Sequence, residues 1–465
     1  MGKFSTYRYL ELRDDTSASH INVRSRTLKQ PRRLKKVFIL LIVLALFVTY
    51  FLGLFAGQTQ WLDGIAKSLG YESVHHYAVI IDAGSSGSRV LAYRFRVPFT
   101  VFGQANLDLV DEYFEQSKPG LSSFADEPEK GADTIVQLIK KAEFLIPAEK
   151  RKSTPLIVRA TAGLRLLPKD KAQQLLVHVS KAIAPLGYDV GPNSVEIMDG
   201  SDEGIFIWYT LNLLHNLMDG ETMAALDLGG GSTQITYQLN DRDVKQYPAG
   251  DRYLVPAGNN NITLYTHSYL NLGLLAARYG IFRMEAGDNN TNEFTSVCVD
   301  PIVQREPWTY ANKQYIISGA ARPAGMKREA VVARCHAAVA RYVARTLDWE
   351  PSQPPRGNVA AMSYFYDVAA DAGIIDVMVG GTVPVGAFRA AALRACAASN
   401  VEQPWACTDL VYVLALLHDA YKIRDHQPVS LFKKVNGHEV SWALGLAYTT
   451  VMNRIAAEAA AAAAA

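Results

Sequence analysis

Apolar positions fall in blocks of distinct length along the chain, and block length is the first guide to its elements. Val37 to Phe55 reads VFILLIVLALFVTYFLGLF without a single charge. At ~1.5 Å rise per residue, a helix over this run reaches roughly 28 Å, the depth of a bilayer's apolar core. A shorter run, Tyr77 to Ile81, ends in Asp82-Ala-Gly84-Ser85-Ser86-Gly87-Ser88-Arg89 and resumes as Val90 to Tyr93. Met223 to Leu226 repeats the pattern: it ends in Asp227-Leu-Gly229-Gly230-Gly231-Ser232-Thr233-Gln234 and resumes as Ile235 to Tyr237. Each copy predicts strand, tight turn, strand, with an acid closing the first strand. Two copies 145 positions apart predict two lobes of similar topology facing one another.

Between and after the copies the pattern changes. Leu156 to Val158 predicts a strand that runs into Arg159-Ala-Thr161-Ala162-Gly163-Leu-Arg165, a turn followed by a helix. Ile205 to Leu217 is apolar enough for a buried helix, entered through Glu196-Ile-Met-Asp-Gly-Ser-Asp202-Glu203-Gly204. Pro/Gly-rich breaks at 351–357 and around 256–261 predict loops. The alanine-rich end from Arg454 is a helical or frayed tail without chemistry.

Charge sets the topology. Residues 1–36 hold ten Lys/Arg against three Asp/Glu, so they carry +7 of a total of +2, and the rest of the chain carries −5. The basic flank before Val37 places the N-terminus in the cytosol and the main body across the membrane. This gives a cytosolic tail over 1–36, a transmembrane helix over 37–56 and a stem over 57–75. The chain reads as a single-pass type II membrane protein whose body faces the ER or Golgi lumen. Ala56 and Gly57 also fit a cut site that would release the body in secreted form. The composition, 49% hydrophobic and 20% charged, excludes disorder for most of the length. A mildly acidic body excludes sequence-independent nucleic-acid binding, which needs a basic face.

Two features fit an oxidising lumen. Asn261-Ile-Thr and Asn289-Asn-Thr are N-glycosylation sequons. The four cysteines, Cys298, Cys335, Cys396 and Cys407, lack any CxxC spacing and point to disulfides rather than zinc. Sequence neighbours pair as Cys298–Cys335 and Cys396–Cys407, with three connectivities formally open.

Gly/Ser-rich turns let backbone N–H groups approach an anion, and an Asp beside each turn can hold a hard cation against phosphate oxygens. A P-loop signature is absent. Glu203 reads either as an ordinary acid at a helix start or as a general base for an attacking water. An EF-hand from Asp199 fails, because its twelfth position is Thr210 where a bidentate Glu is required. Thr161 and its neighbours can present a hydroxyl and N–H groups to a terminal phosphate.

IDAGSSGSR, RATAGLRLL, MDGSDEGIFIW, ALDLGGGSTQ and SWALG occur in the order of the five apyrase-conserved regions. The chain resembles the ecto-nucleoside triphosphate diphosphohydrolase (apyrase/nucleoside diphosphatase) family over roughly residues 77–452, and also at Ser363–Asp367 and Pro404–Leu410. The resemblance implies an α/β, two-lobed actin/sugar-kinase-like fold of two ribonuclease-H-like domains with the active site in the cleft. Lobe I would take 76–201 plus 440–455, lobe II 202–439, and 456–465 the tail. Asp82 and Asp227 would organise Ca²⁺ or Mg²⁺ through waters. Gly84, Ser85, Ser86, Gly87, Ala162, Gly229, Gly230 and Gly231 would bind phosphate. Glu203 matches the catalytic base, with Ser232 and Gln234 orienting the water and Thr161 near the terminal phosphate. Tyr364 or Tyr366, with Tyr412, would stack the nucleobase, and Trp442 would support packing.

One N-terminal span and four cysteines are most similar to the luminal members of the family that favour UDP and GDP. The implied activity is cation-dependent hydrolysis of nucleoside diphosphates. Rival readings are an exopolyphosphatase-like phosphohydrolase of the same superfamily, a cell-surface ATP/ADP apyrase, a sugar kinase and a catalytically silent nucleotide-binding protein.

Overall fold

Two hairpins organise the body. The first joins β1 (His75–Ala83) to β2 (Ser88–Arg96), with Asp82 opposite Arg89. The second joins β6 (Ala224–Leu228) to β7 (Ser232–Gln238), with Asp227 opposite Gln234. The computed structural model describes residues 32–55, 68, 74–98, 107–218, 220–257, 260–287, 291–351 and 353–464.

The first hairpin belongs to a five-stranded sheet of order β3-β2-β1-β4-β5, completed by β3 (Asp108–Ser117), β4 (Leu156–Ala160) and β5 (Val195–Ile197). Of its helices, α2 (Pro128–Ala142) and α4 (Lys169–Ile183) cover one face, while the single turn α3 (Ala162–Arg165) follows β4. Val79 and Ile81 pack toward α2 and α4, whereas Ala78 and Ile80 join the core on the opposite face. Both faces of β1 are covered, so its sequence is a continuous apolar run rather than an alternation.

The helix α5 (Gly200–Leu214) then leads into a seven-stranded sheet of order β14-β15-β13-β6-β7-β9-β8. Its remaining strands are β8 (Arg252–Ala257), β9 (Asn260–Leu270), β13 (Val359–Ser363), β14 (Gly381–Pro384) and β15 (Pro428–Leu431). In chain order come α6 (Leu274–Glu285), α7 (Arg328–Thr346), α8 (Tyr364–Asp371), α9 (Gly386–Ala395) and α10 (Ala406–Ala415). A small sheet of β10 (Glu293–Ser296), β12 (Lys313–Gly319) and β11 (Glu306–Tyr310) lies between α6 and α7 in sequence. The chain returns through the hairpin β16 (Lys434–Val435) and β17 (His438–Glu439) to α11 (Trp442–Ala464). The alanine-rich tail is thus the end of α11.

One core joins the two sheets. Ile80, Leu91 and Tyr93 from the first, Ala225, Leu264 and Ala360 from the second, and Trp208 of α5 with Leu444 of α11 form a continuous buried cluster. The lobes therefore share packed helices, and the cleft opens beside them. Disulfides Cys298–Cys335 and Cys396–Cys407 form between the sequence neighbours, fastening α7 and the end of α9 within the second lobe's core.

One expectation changes. The break around 256–261 is a hairpin: Pro256 of β8 pairs with Asn261 of β9. β8 is an edge strand, where proline's missing N–H need not serve the ladder. The expected transmembrane helix over 37–56 meets α1 (Arg32–Phe55), which belongs to a separate unit. Among the described residues no helix is long and apolar enough to cross a membrane. The basic tail before Arg32 and the sequon at Asn289 lie outside the described residues, whereas Asn261 is exposed on β9.

Candidate active site

The ends of β1, β4, β6 and β7 converge on a cleft of about 320 Å³. Asp82, Ser85, Thr161, Glu203, Asp227 and Ser232 all line it, as do all three glycines of the Gly229–Gly231 turn. The two hairpin turns face one another closely. A Cβ added to Gly230 would lie 2.7 Å from the Ser85 hydroxyl, so only glycine fits there without displacing its neighbour.

Glu203 is placed by its helix. Asp199 caps α5, its side chain accepting from Ser201 N at 2.8 Å. Gly204 lets the helix lie on the second sheet, since a Cβ would meet Thr266 Oγ1 at 2.4 Å. Strand register supplies the partners: Gln234 lies opposite Asp227 on β6 and opposite Ser268 on β9. Directly opposed residues share a face, so these side chains gather under the helix start. Gln234 Nε2 lies 3.1 Å from Glu203 Oε2, 2.8 Å from Ser232 Oγ and 2.9 Å from Ser268 Oγ. Gln234 Oε1 is buried without a partner, an acceptor left for a water.

Arg165, from the turn after Thr161, reaches Glu203 Oε2 with Nη2 at 2.5 Å. Burial pushes the Glu203 carboxyl up to about 7; Arg165 opposes this, and the charges of Asp227 and Asp82 add to it. A carboxylate that titrates near neutrality, with one face in a cleft, is suited to take a proton from water.

Asp82 and Asp227 are both buried, and burial raises both carboxyls. Arg89 opposes the shift at Asp82 through a 2.9 Å contact to Oδ2, and a hydrogen bond with Ser363 opposes it at Asp227. The Oδ1 atom of each has no hydrogen-bond partner. Two orphaned carboxylate oxygens in one cleft fit a hard cation met through waters. Among the described residues no cluster of three His, Cys, Asp or Glu is placed to hold an ion directly.

Tyr364 and Tyr366 line the cleft, although Tyr366 is buried and donates its hydroxyl to Val377 O. Tyr412 requires a correction. It is 1% exposed in the second lobe's core and donates to Leu272 O at 2.5 Å, away from the cleft lining. The apolar periodicity of α10 turns it inward. Trp442 is a buried cleft-lining residue at the start of α11. Arg165 and Ser268 were not singled out from the sequence. Arg165 had a signal, a basic residue in a short turn beside a phosphate-binding motif; Ser268 had none, because its role depends on strand register.

The GDA1/CD39 (nucleoside phosphatase) family matches residues 69–346 and 391–462. The chain is 38% identical to a nucleoside diphosphate phosphatase, ENTPD5, of Homo sapiens over 409 residues, covering 84% of this chain and 92% of that protein. It is 33% identical to the nucleoside-diphosphatase uda-1 of Caenorhabditis elegans over 431 residues, covering 87% and 88%. Among solved structures, a nucleoside triphosphate hydrolase from Neospora caninum aligns with a TM-score of 0.56 at 15% identity, covering 80% of this chain and 92% of that one. That likeness is one of fold, the two-lobed α/β actin-like architecture.

Proposed function

Because this chain belongs to the GDA1/CD39 (nucleoside phosphatase) family, we propose that it hydrolyses nucleoside diphosphates to nucleoside monophosphate and inorganic phosphate. The observation that carries the mechanism is Glu203, held between Arg165 and Gln234 in the cleft and titrating near neutrality.

The two hairpin turns and Thr161 hold the phosphate oxygens with N–H and hydroxyl donors. A water donates one hydrogen bond to Glu203 and the other to Gln234 Oε1, leaving a lone pair for phosphorus. As the P–O bond forms, Glu203 takes the proton. The bond to the bridging oxygen breaks, and that oxygen leaves on the nucleoside monophosphate. Ser232 and Ser268 keep the Gln234 amide in place through its Nε2. A divalent cation, Ca²⁺ or Mg²⁺, held through waters by Asp82 and Asp227 supplies charge neutralisation to the phosphates when bound.

Phosphate release from UDP, GDP, ADP, CDP, ATP and polyphosphate by the purified protein tests this reading. UDP and GDP are expected to turn over fastest, and excess EDTA is expected to abolish activity. Preference for ATP would mark a cell-surface type of activity, and turnover of polyphosphate alone an exopolyphosphatase.

The proposal extends to a type II anchor with the body in the ER or Golgi lumen. The uncharged run 37–55 behind a basic flank, both disulfides and the exposed Asn261 support it. Protease added to sealed microsomes is expected to spare the body. Asn→Gln at Asn261 and Asn289 is expected to remove a glycosidase-sensitive mass; digestion of the body would refute the topology.

A further inference from the structure

The phosphate machinery leaves part of the cleft unused. Beyond the hairpin turns it is lined by Tyr364, Asp367, Phe432 and Lys433. Tyr364 and Asp367 stand three positions apart on α8, so both look from one helix face into the cleft. Phe432 and Lys433 follow β15 and contribute a second aromatic ring and a cation. Among the described residues the Asp367 carboxylate and the Lys433 ammonium form neither a hydrogen bond nor an ion pair. The other cleft carboxylate away from the phosphates, Glu439, lies in the β16–β17 hairpin, where its backbone N–H donates to Glu112 and Lys433 is the leading charge acting on it.

We propose that Asp367 and Lys433 read the nucleobase edge, the carboxylate accepting a ring N–H and the ammonium donating to the adjacent carbonyl. This rests on the nucleoside diphosphatase reading above. Uracil and guanine share that N–H/C=O edge; cytosine and adenine present a ring nitrogen acceptor beside an amino group instead. Against the latter, Asp367 faces an acceptor and Lys433 a donor, so both contacts become repulsive. The rejection is as much part of the design as the attraction. Water reaches Asp367 on the open cleft wall, yet the surrounding protein pushes its carboxyl up, and Lys433 leads the charges that draw it back. An acceptor that is partly desolvated but unspent is poised for a ligand donor.

The test compares kcat/KM on the intact protein for UDP, 3-methyl-UDP, 5-methyl-UDP, CDP, GDP and ADP, with ribose 5-diphosphate as a base-free reference. Methylation at N3 removes the N–H and is expected to reduce kcat/KM roughly five- to hundredfold, toward that of CDP, whereas methylation at C5 leaves it nearly unchanged. Asp367→Ala is expected to collapse the UDP/CDP and GDP/ADP ratios toward one while ribose 5-diphosphate turnover stays at the wild-type rate. Lys433→Met is expected to reduce the same ratios. Equal turnover of UDP and 3-methyl-UDP by the wild-type protein would overturn the inference without recourse to a variant. Failure of the wild type to hydrolyse any nucleoside diphosphate would overturn the underlying reading instead.

Discussion

Arg165 and Glu203 come from different motifs, 38 positions apart, and meet in the cleft with Nη2 and Oε2 2.5 Å apart. The contact is not a surface ion pair, since the side chains are only 16% and 9% exposed. Its consequence is electrostatic. Burial is the largest cause that pushes the Glu203 carboxyl up, and the two aspartates push the same way. Arg165 holds the group at a value where it can act as a base.

Glu203→Gln keeps size and the contacts to Arg165 and Gln234 but removes the proton acceptor. It is expected to lower kcat by roughly 10²–10⁴-fold with nucleotide binding nearly intact. The same variant reports on stability. The folded-state pKa is raised from 4.5 to about 7. The stability this carries is complete below ~4.5 and is lost as pH rises through 7. The rise corresponds to at most ~3 kcal/mol. The Tm of Glu203→Gln minus that of wild type is therefore expected to grow between pH 5 and 8. A difference independent of pH would mean that Glu203 is not buried in this state.

Activity is expected to rise with pH on an acidic limb near 7, as Glu203 loses its proton. The charges of Asp82 and Asp227 contribute to that value, and a divalent cation offsets them. Increasing Mg²⁺ or Ca²⁺ is expected to move the limb to lower pH. A limb fixed in position across cation concentrations would separate the base from the aspartates.

Arg165→Met removes the charge that draws Glu203 down. The limb of the kcat/KM profile is expected to move to higher pH, with activity partly recovered above pH 8. Loss by the same factor at every pH would assign Arg165 to packing alone, and Arg165→Lys is expected to sit between the two profiles.

At the meeting of the two turns, Gly230→Ala introduces a Cβ 2.7 Å from Ser85 Oγ. Moving a phosphate turn by a fraction of an ångström is expected to reduce kcat/KM about tenfold or more. Adding Ser85→Ala removes the clashing hydroxyl, so the double variant is expected to be less impaired than the two single effects multiplied. Strict multiplicativity would place the turns too far apart to touch.

Tyr412→Phe tests the corrected assignment. Its buried hydroxyl bonds Leu272 O, so the loss is expected to cost about 1–3 kcal/mol of stability, read as a lower Tm. The ranking of UDP, GDP, ADP and CDP is expected to remain that of wild type. A changed ranking would return Tyr412 to the nucleobase.

The hairpins, their acids and the buried helix read over Ile205 to Leu217, which forms as Gly200–Leu214, were legible in the chain's own pattern because each is a local matter. A buried strand must read as an apolar run, a phosphate turn needs glycine, and a helix start takes an acid. The cysteines suggested neighbour pairing but left three connectivities open, and the fold brings Cys298 to Cys335 and Cys396 to Cys407. Which side chains meet was set across the fold instead. Gln234 reaches Ser268 through antiparallel register, and Arg165 reaches Glu203 because α3 and α5 bring different strand ends to one cleft. The same limit explains Tyr412: a tyrosine inside a matched motif looks the same in sequence whether it faces a ligand or the core. On α10 the packing of the second lobe turns it inward, while Tyr364 and Asp367 on α8 face the cleft. Local patterns specify elements, whereas the identity of a partner depends on distances across the fold that no window of sequence contains.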